Sequence, residues 1–110
     1  MINKSIDNIY LKITAKVAVV GNPDLPKNFC LNLDDLIRVE FAGLHHPGRV
    51  VSGELPLRIG EGGLVQILVA AMKQEEDVIR PGLKIRFLGG VDTYFAEAEL
   101  MSFERVAESK

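Results

Sequence analysis

The chain has 110 residues, a formal net charge of −2 from 13 Lys and Arg against 15 Asp and Glu, 47% hydrophobic residues and one cysteine. This length suits a single domain, the apolar fraction excludes a disordered chain, and the acidic balance disfavours nucleic-acid binding over the whole surface, which draws on a basic surplus. One cysteine excludes an intrachain disulfide and fits a reducing compartment. The polar first eight residues do not read as a signal peptide, and the longest apolar run, 64–72, is broken by Gln66 and too short for a bilayer. The expectation is a cytoplasmic protein without membrane contact.

In chain order, Leu11, Ile13, Ala15, Val17 and Val19 alternate with Lys12, Thr14 and Lys16, the pattern of a strand with one buried and one wet face. Gly21-Asn22-Pro23 and Leu25-Pro26 mark a long connection, and Asp34-Asp35 reads as a solvated Asx-type turn between two strands. Ile37, Val39 and Phe41 then alternate with Arg38 and Glu40. His46-Pro47-Gly48-Arg49 puts Pro before Gly, the order of a type II turn, and His45 and His46 read as a solvated pair leading into it. Val51, Gly53, Leu55 and Leu57 form a weaker alternating set, with Pro56 marking an edge or strand end. A further turn falls at Gly60-Glu61-Gly62-Gly63.

The run 64–72 is apolar on both faces, as in a fully buried strand, yet Leu64, Ile67, Leu68, Ala71 and Met72 also keep helical spacing. Because Gly62-Gly63 offers no N-cap side chain, the strand is preferred, with one helix near 63–75 as the alternative. Glu75-Glu76-Asp77 reads as a solvated turn, and Arg80-Pro81-Gly82-Leu83 as a second type II turn. Leu83, Ile85 and Phe87 alternate with Lys84 and Arg86, Gly89-Gly90 fits a tight hairpin loop, and Ala96, Ala98 and Leu100 alternate with Glu97 and Glu99. Met101 and Phe103 fall out of phase, on the charged side. Short strands, Pro and Gly turns and no βαβ alternation predict an all-β domain over 1–110, a small antiparallel barrel of about six strands.

No catalytic, metal-binding or cofactor-binding set emerges. The two adjacent histidines have no further soft ligands to complete a zinc site. Cys30, between Phe29 and Leu31, has no base supplied by the pattern and reads as a buried, inert thiol. The glycines at 60, 62 and 63 lack the lysine and hydroxyl that follow in a nucleotide loop. Glu97 and Glu99 share one strand face, whereas glycosidase carboxylates face each other across a cleft. Two sets of residues are left as binding candidates. Lys12, Lys16, Lys84 and Arg86 would form a basic patch if their strands were neighbours, able to contact phosphates or an acidic partner. Tyr10, Tyr94 and Phe95 are the aromatic anchor candidates, set against core packing as the alternative.

Over most of its length the chain also resembles the third, C-terminal β-barrel domain of elongation factor Tu. The resemblance is carried by Ile13-Thr14-Ala15-Lys16-Val17, the apolar strand 65–69, the acidic turn Glu75-Glu76-Asp77, Gly82-Leu83-Lys84-Ile85, Gly89-Gly90 and the closing strand 93–100. It implies a six-stranded antiparallel barrel and contact with RNA or a translation factor. The sequence departs from that pattern after the double glycine, where Val91 and Asp92 stand in place of a basic residue. No counterpart of the nucleotide-binding domain is present, so the resemblance implies no GTPase activity.

The sequence therefore predicts a non-enzymatic module that engages another, unidentified protein through a sheet face or loops, and that could pair two copies through an exposed edge strand. The alternatives are a translation-associated module that touches RNA or a translation factor, and a small enzyme whose polar site the pattern does not reveal.

Overall fold

The computed structural model describes residues 8–90 and 93–106. Its elements in chain order are β1 (Asn8–Val19), β2 (Cys30–Leu31), β3 (Leu36–Phe41), β4 (Leu44–Gly53), β5 (Leu57–Arg58), β6 (Gly62–Met72), a 3₁₀ turn (Lys73–Val78), β7 (Lys84–Gly89) and β8 (Thr93–Val106). Six of the strands close into an antiparallel barrel in the order β1-β6-β4-β3-β7-β8, and β2 pairs with β5 in a separate two-stranded sheet. The run 64–72 is thus strand, and its period-two component prevails: Val65, Ile67, Val69 and Ala71 point into the core, while Leu64 and Met72 face solvent.

Alternation decides which side chains fill the barrel. Leu11, Ile13, Ala15, Val17 and Val19 are buried on β1, Ile37, Val39 and Phe41 on β3, Ile85 and Phe87 on β7, and Ala96, Ala98 and Leu100 on β8. Of three register shifts, the one between Phe87 and Leu88 makes Phe95 the extra residue of β8, and the other two shift the phase where the sequence pattern weakens. One falls at Thr14/Ala15, where Thr14 pairs with Ser102 and Ala15 with Leu100, so Met101 is the extra residue and Phe103 returns to the inner face opposite Ile13. The other falls between Val50 and Ser52, making Val50 rather than Val51 the inward residue of β4. At the end of β4, Gly53 has φ of +140°, and a Cβ there would lie 2.7 Å from the Leu64 carbonyl oxygen and from Val65 Cα, so only glycine lets β4 approach β6 so closely.

The turn chemistry holds in several places. Leu83 N–H donates to the Arg80 carbonyl with Gly82 at positive φ, as the Pro-Gly order requires. Glu61 N–H likewise donates to Arg58 across Gly60, and Asn32 N–H donates to the Asp35 carboxylate in the turn before β3. Gly89 pairs with Thr93, so the last hairpin connection includes Val91 and Asp92, which lie outside the described residues. One expected turn is absent: His46-Pro47-Gly48-Arg49 lies within β4, and the β3–β4 hairpin instead turns at Ala42-Gly43, both at positive φ as a two-residue primed turn requires. Pro47 is accommodated just before the ladder to β6 begins at Gly48. Cys30 is half-buried on β2 rather than enclosed, because β2 lies at the barrel mouth and turns Leu31, not Cys30, inward.

Both mouths of the barrel are sealed by connections that join strands on opposite sides of the ring. Between β1 and β3, residues 20–35 cross one mouth and bring Phe29 against Phe95, ring centroids 5.0 Å apart, with Leu31 and Leu57 buried beneath. Residues 73–83, from β6 to β7, cross the other and place Ile79 and Leu83 over Leu11, Phe41 and Leu100. What remains between these side chains is an apolar void of about 10 Å³, no more than the least a single water requires.

A buried polar latch holds the second crossing. His46 and Glu75, expected as solvated residues, are 4% and 8% exposed. The strand turns His46 inward, where its ring stacks on Phe41 at 3.8 Å between centroids. Nδ1 lies 3.0 Å from the Val39 carbonyl oxygen, which can only accept, so this nitrogen carries a hydrogen. Nε2 lies 2.7 Å from Glu75 Oε2, and Glu75 Oε1 accepts the Met72 N–H at 2.8 Å. Every polar atom of the pair is used, which is what makes its burial tolerable. Glu75→Ala or His46→Ala is expected to cost about 3 kcal/mol in chemical denaturation, since each leaves a buried partner unsatisfied. Glu75→Gln is expected to cost much less, because its amide can accept from Met72 and donate to Nε2.

Candidate functional site

With the interior filled, the surfaces open to a ligand lie on the outside of the barrel. Register aligns the outward side chains of neighbouring strands into transverse rows. One row runs Gly62–Ala18–Glu97–Arg86–Glu40–His45. The next runs Leu64–Lys16–Glu99–Lys84, and beyond it an uncharged row runs Ser52–Gln66–Thr14–Ser102. In that third row the Gln66 amide nitrogen donates to Thr14 Oγ1 at 3.2 Å, and Ser52 Oγ donates to the Gln66 amide oxygen.

The first two rows border an open groove of about 710 Å³ over β6, β1, β8 and β7. Its exposed apolar side chains are Leu64 and Met101, both 45% exposed, which lie on either side of Lys16, and Ala18 lines it in the adjoining row. Lys16, Lys84, Glu54, Glu97 and Glu99 supply charge of both signs. Two features of the chain make the groove. The bulge on β8 throws Met101 outward, and the glycines at the start of β6 leave that end without side chains. Glu54 occupies the space above Gly63, accepting the Leu64 N–H at 2.7 Å, and a Cβ on Gly63 would meet its Oε1 at 2.7 Å. A second depression of about 590 Å³ shares Lys84, Glu97 and Ala98 with the first and continues toward Glu40 and the Ala42-Gly43 turn.

The predicted basic patch does not form. The strands carrying Lys12 and Lys16 and those carrying Lys84 and Arg86 are not neighbours, because β8 lies between them and sets Glu97, Glu99 and Glu104 among the cations. Lys12 pairs with Glu104 at 3.1 Å and Lys84 with Glu99 at 3.5 Å. Arg86 reaches Glu40 Oε1 through Nη2 at 2.8 Å and stacks 4.2 Å from the centre of the Tyr94 ring. Of the aromatic candidates, Phe95 is 2% exposed and packs between Phe29 and Phe87, so it belongs to the core and is no surface anchor. Tyr10 is half-buried on β1 between Ala70 and Val106, and Tyr94 is half-buried beside Arg86, both outside the groove.

Leu64, Met101 and Glu54 were not legible as site residues. Met101 alone carried a signal, its break in the alternation of β8. Among the described residues, no three His, Cys, Asp or Glu side chains are grouped to hold a metal ion, and no helix is long and apolar enough to cross a membrane. The Asp34-Asp35 turn is on the surface, bridged by Arg49 to Asp34 at 3.9 Å. The neighbours of Glu40 set its ionisation: the Tyr94 hydroxyl donates to Oε2 at 2.9 Å and the Arg86 guanidinium lies on Oε1, which together hold the carboxyl below its ordinary range despite partial burial. No family model matches the chain, and no curated protein resembles it in sequence.

Because Glu40 is held ionised more strongly in the folded chain than in the unfolded one, its contribution to stability is full above the ordinary glutamate range and is lost as pH falls through the lower folded value. Carboxyl-carbon NMR should show Glu40 titrating below 4.5. In Tyr94→Phe, which removes the largest cause, the midpoint should move up, and the loss of stability in acid should begin at higher pH.

Proposed function

We propose that this barrel is a non-enzymatic protein-interaction module, taking an extended segment of a partner protein across the groove over β6, β1, β8 and β7. The observation that carries the reading is an exposed apolar pair, Leu64 and Met101, set in a concave outer face while the interior is filled. Ligand sites concentrate in concave, partly apolar surfaces with a few charged groups that fix orientation, and mixed charge around an apolar centre is the make-up of a protein interface rather than of a phosphate-binding strip. The single cysteine fits a reducing compartment, and on that ground we propose the cytoplasm.

A second reading, a translation-associated module in contact with RNA or a translation factor, draws support from the closed six-strand antiparallel barrel that the resemblance to the third domain of elongation factor Tu implies. The alternation of Lys16, Glu99 and Lys84 along one row weakens its RNA form.

Affinity purification from the native host with the wild-type chain, Leu64→Asp/Met101→Asp and Leu36→Asp separates these readings. Leu36 is 79% exposed and does not line the groove, so it serves as the control. A partner protein retained by wild type and Leu36→Asp but reduced tenfold or more by the groove variant is the expected result. Equal recovery by all three contradicts the groove. Recovery dominated by RNA that is released by moderate salt supports the second reading.

A further inference from the structure

The barrel strands differ in length, and the difference leaves one edge open. Strand β8 has 14 residues against 6 in β7, and their ladder stops at Lys84–Glu99. Leu100 is still paired on that side, donating to the Leu83 carbonyl and accepting from Gly82 N–H. Beyond it, residues 102–106 pair with β1 on one side only, among the described residues. After the bulge at Met101 the backbone directions alternate again, so the N–H and C=O groups of Phe103 and Arg105 face the open side. The chain between β6 and β7 meets this stretch through the ion pair of Glu76 with Arg105 at 3.7 Å. A row of backbone donors and acceptors with no strand beside it is a template for another strand.

We propose that this edge pairs with the same edge of a second copy, antiparallel, with Phe103 opposite its symmetry mate. The side chains choose both the occupant and the register. A twofold axis through Glu104 would set two carboxylates against each other, and an axis through Arg105 two guanidinium groups, arrangements that like charge disfavours. With the axis at Phe103, the two half-buried rings meet on the inner face and extend the existing apolar cluster. On the outer face Ser102 then stands opposite the second copy's Glu104, where its hydroxyl can donate to the carboxylate, and Glu104 keeps its own Lys12. Because the shared edge is only five residues long, the buried area is below that of a standard interface and the dimer is weak, with dissociation at micromolar or higher concentration. The inference does not rest on the groove or on any partner protein.

Sedimentation equilibrium of the full chain over a concentration series tests it. The wild-type mass should rise with concentration from 12.1 kDa toward twice that value. Position 102 is exposed, so its substitution leaves the fold intact. Ser102→Glu should weaken association several-fold, Ser102→Lys should tighten it by a similar factor, and Ser102→Glu/Glu104→Lys should restore it by reversing the cross-strand pair. A chain that stays monomeric at millimolar concentration overturns the proposal, as does association that none of the three variants moves.

Discussion

Closure of the ring rests on the short ladder between β3 and β7, three register pairs from Arg38–Leu88 to Glu40–Arg86, while every other ladder of the barrel is longer. Without that seam the chain would be an open sheet with two edges, and the inward residues of β3 and β7 would face water. With it, Val39 and Phe87 are fully buried opposite each other. The surface residues around the seam reinforce it: Glu40 on β3 is bound by Arg86 of β7 and Tyr94 of β8, and Arg38 donates to the Gly90 carbonyl at 2.6 Å. Closure also dictates the loops. A six-strand ring of this order puts β1 opposite β3 and β6 opposite β7, so the two long connections must cross the mouths, and their apolar residues become plugs.

The proposed function rests on what this packing leaves over. Small barrels fill their interiors with side chains and carry their ligand sites on loops or outer faces. Here the buried pair of His46 and Glu75, the one such acid–base pair among the described residues, holds a crossing connection in place. The distinctive outer features are a groove with two exposed apolar side chains and a strand edge that no other strand joins among the described residues. Both trace to β8: its bulge projects Met101 into the groove, and its length carries Phe103 and Arg105 beyond the reach of β7.

Much of the fold was legible because period-two alternation is a local signal. Leu11 to Val19, Ile37 to Phe41 and Leu83 to Phe87 each declare a strand and its buried face without reference to the rest of the chain. The site was harder to read because it depends on which strands are neighbours. Lys16 and Lys84 suggested a basic patch as long as β1 and β7 could be adjacent, and the interposed Glu99 changed it to alternating charge. His46 read as a turn residue because Pro47-Gly48 is turn chemistry, yet the buried carboxylate 29 positions on made an inward strand position favourable for it. Such pairing over long sequence separation leaves no local pattern.

The central claim, that the sheet closes at β3–β7 and so excludes ligands from the interior, is tested most directly by NMR across that seam. Backbone NOEs between Arg38, Val39 and Glu40 and their partners Leu88, Phe87 and Arg86, together with slow amide exchange along the same ladder, are the predicted result. NOEs confined to the other five ladders, with rapidly exchanging seam amides, would show an open sheet and contradict the account.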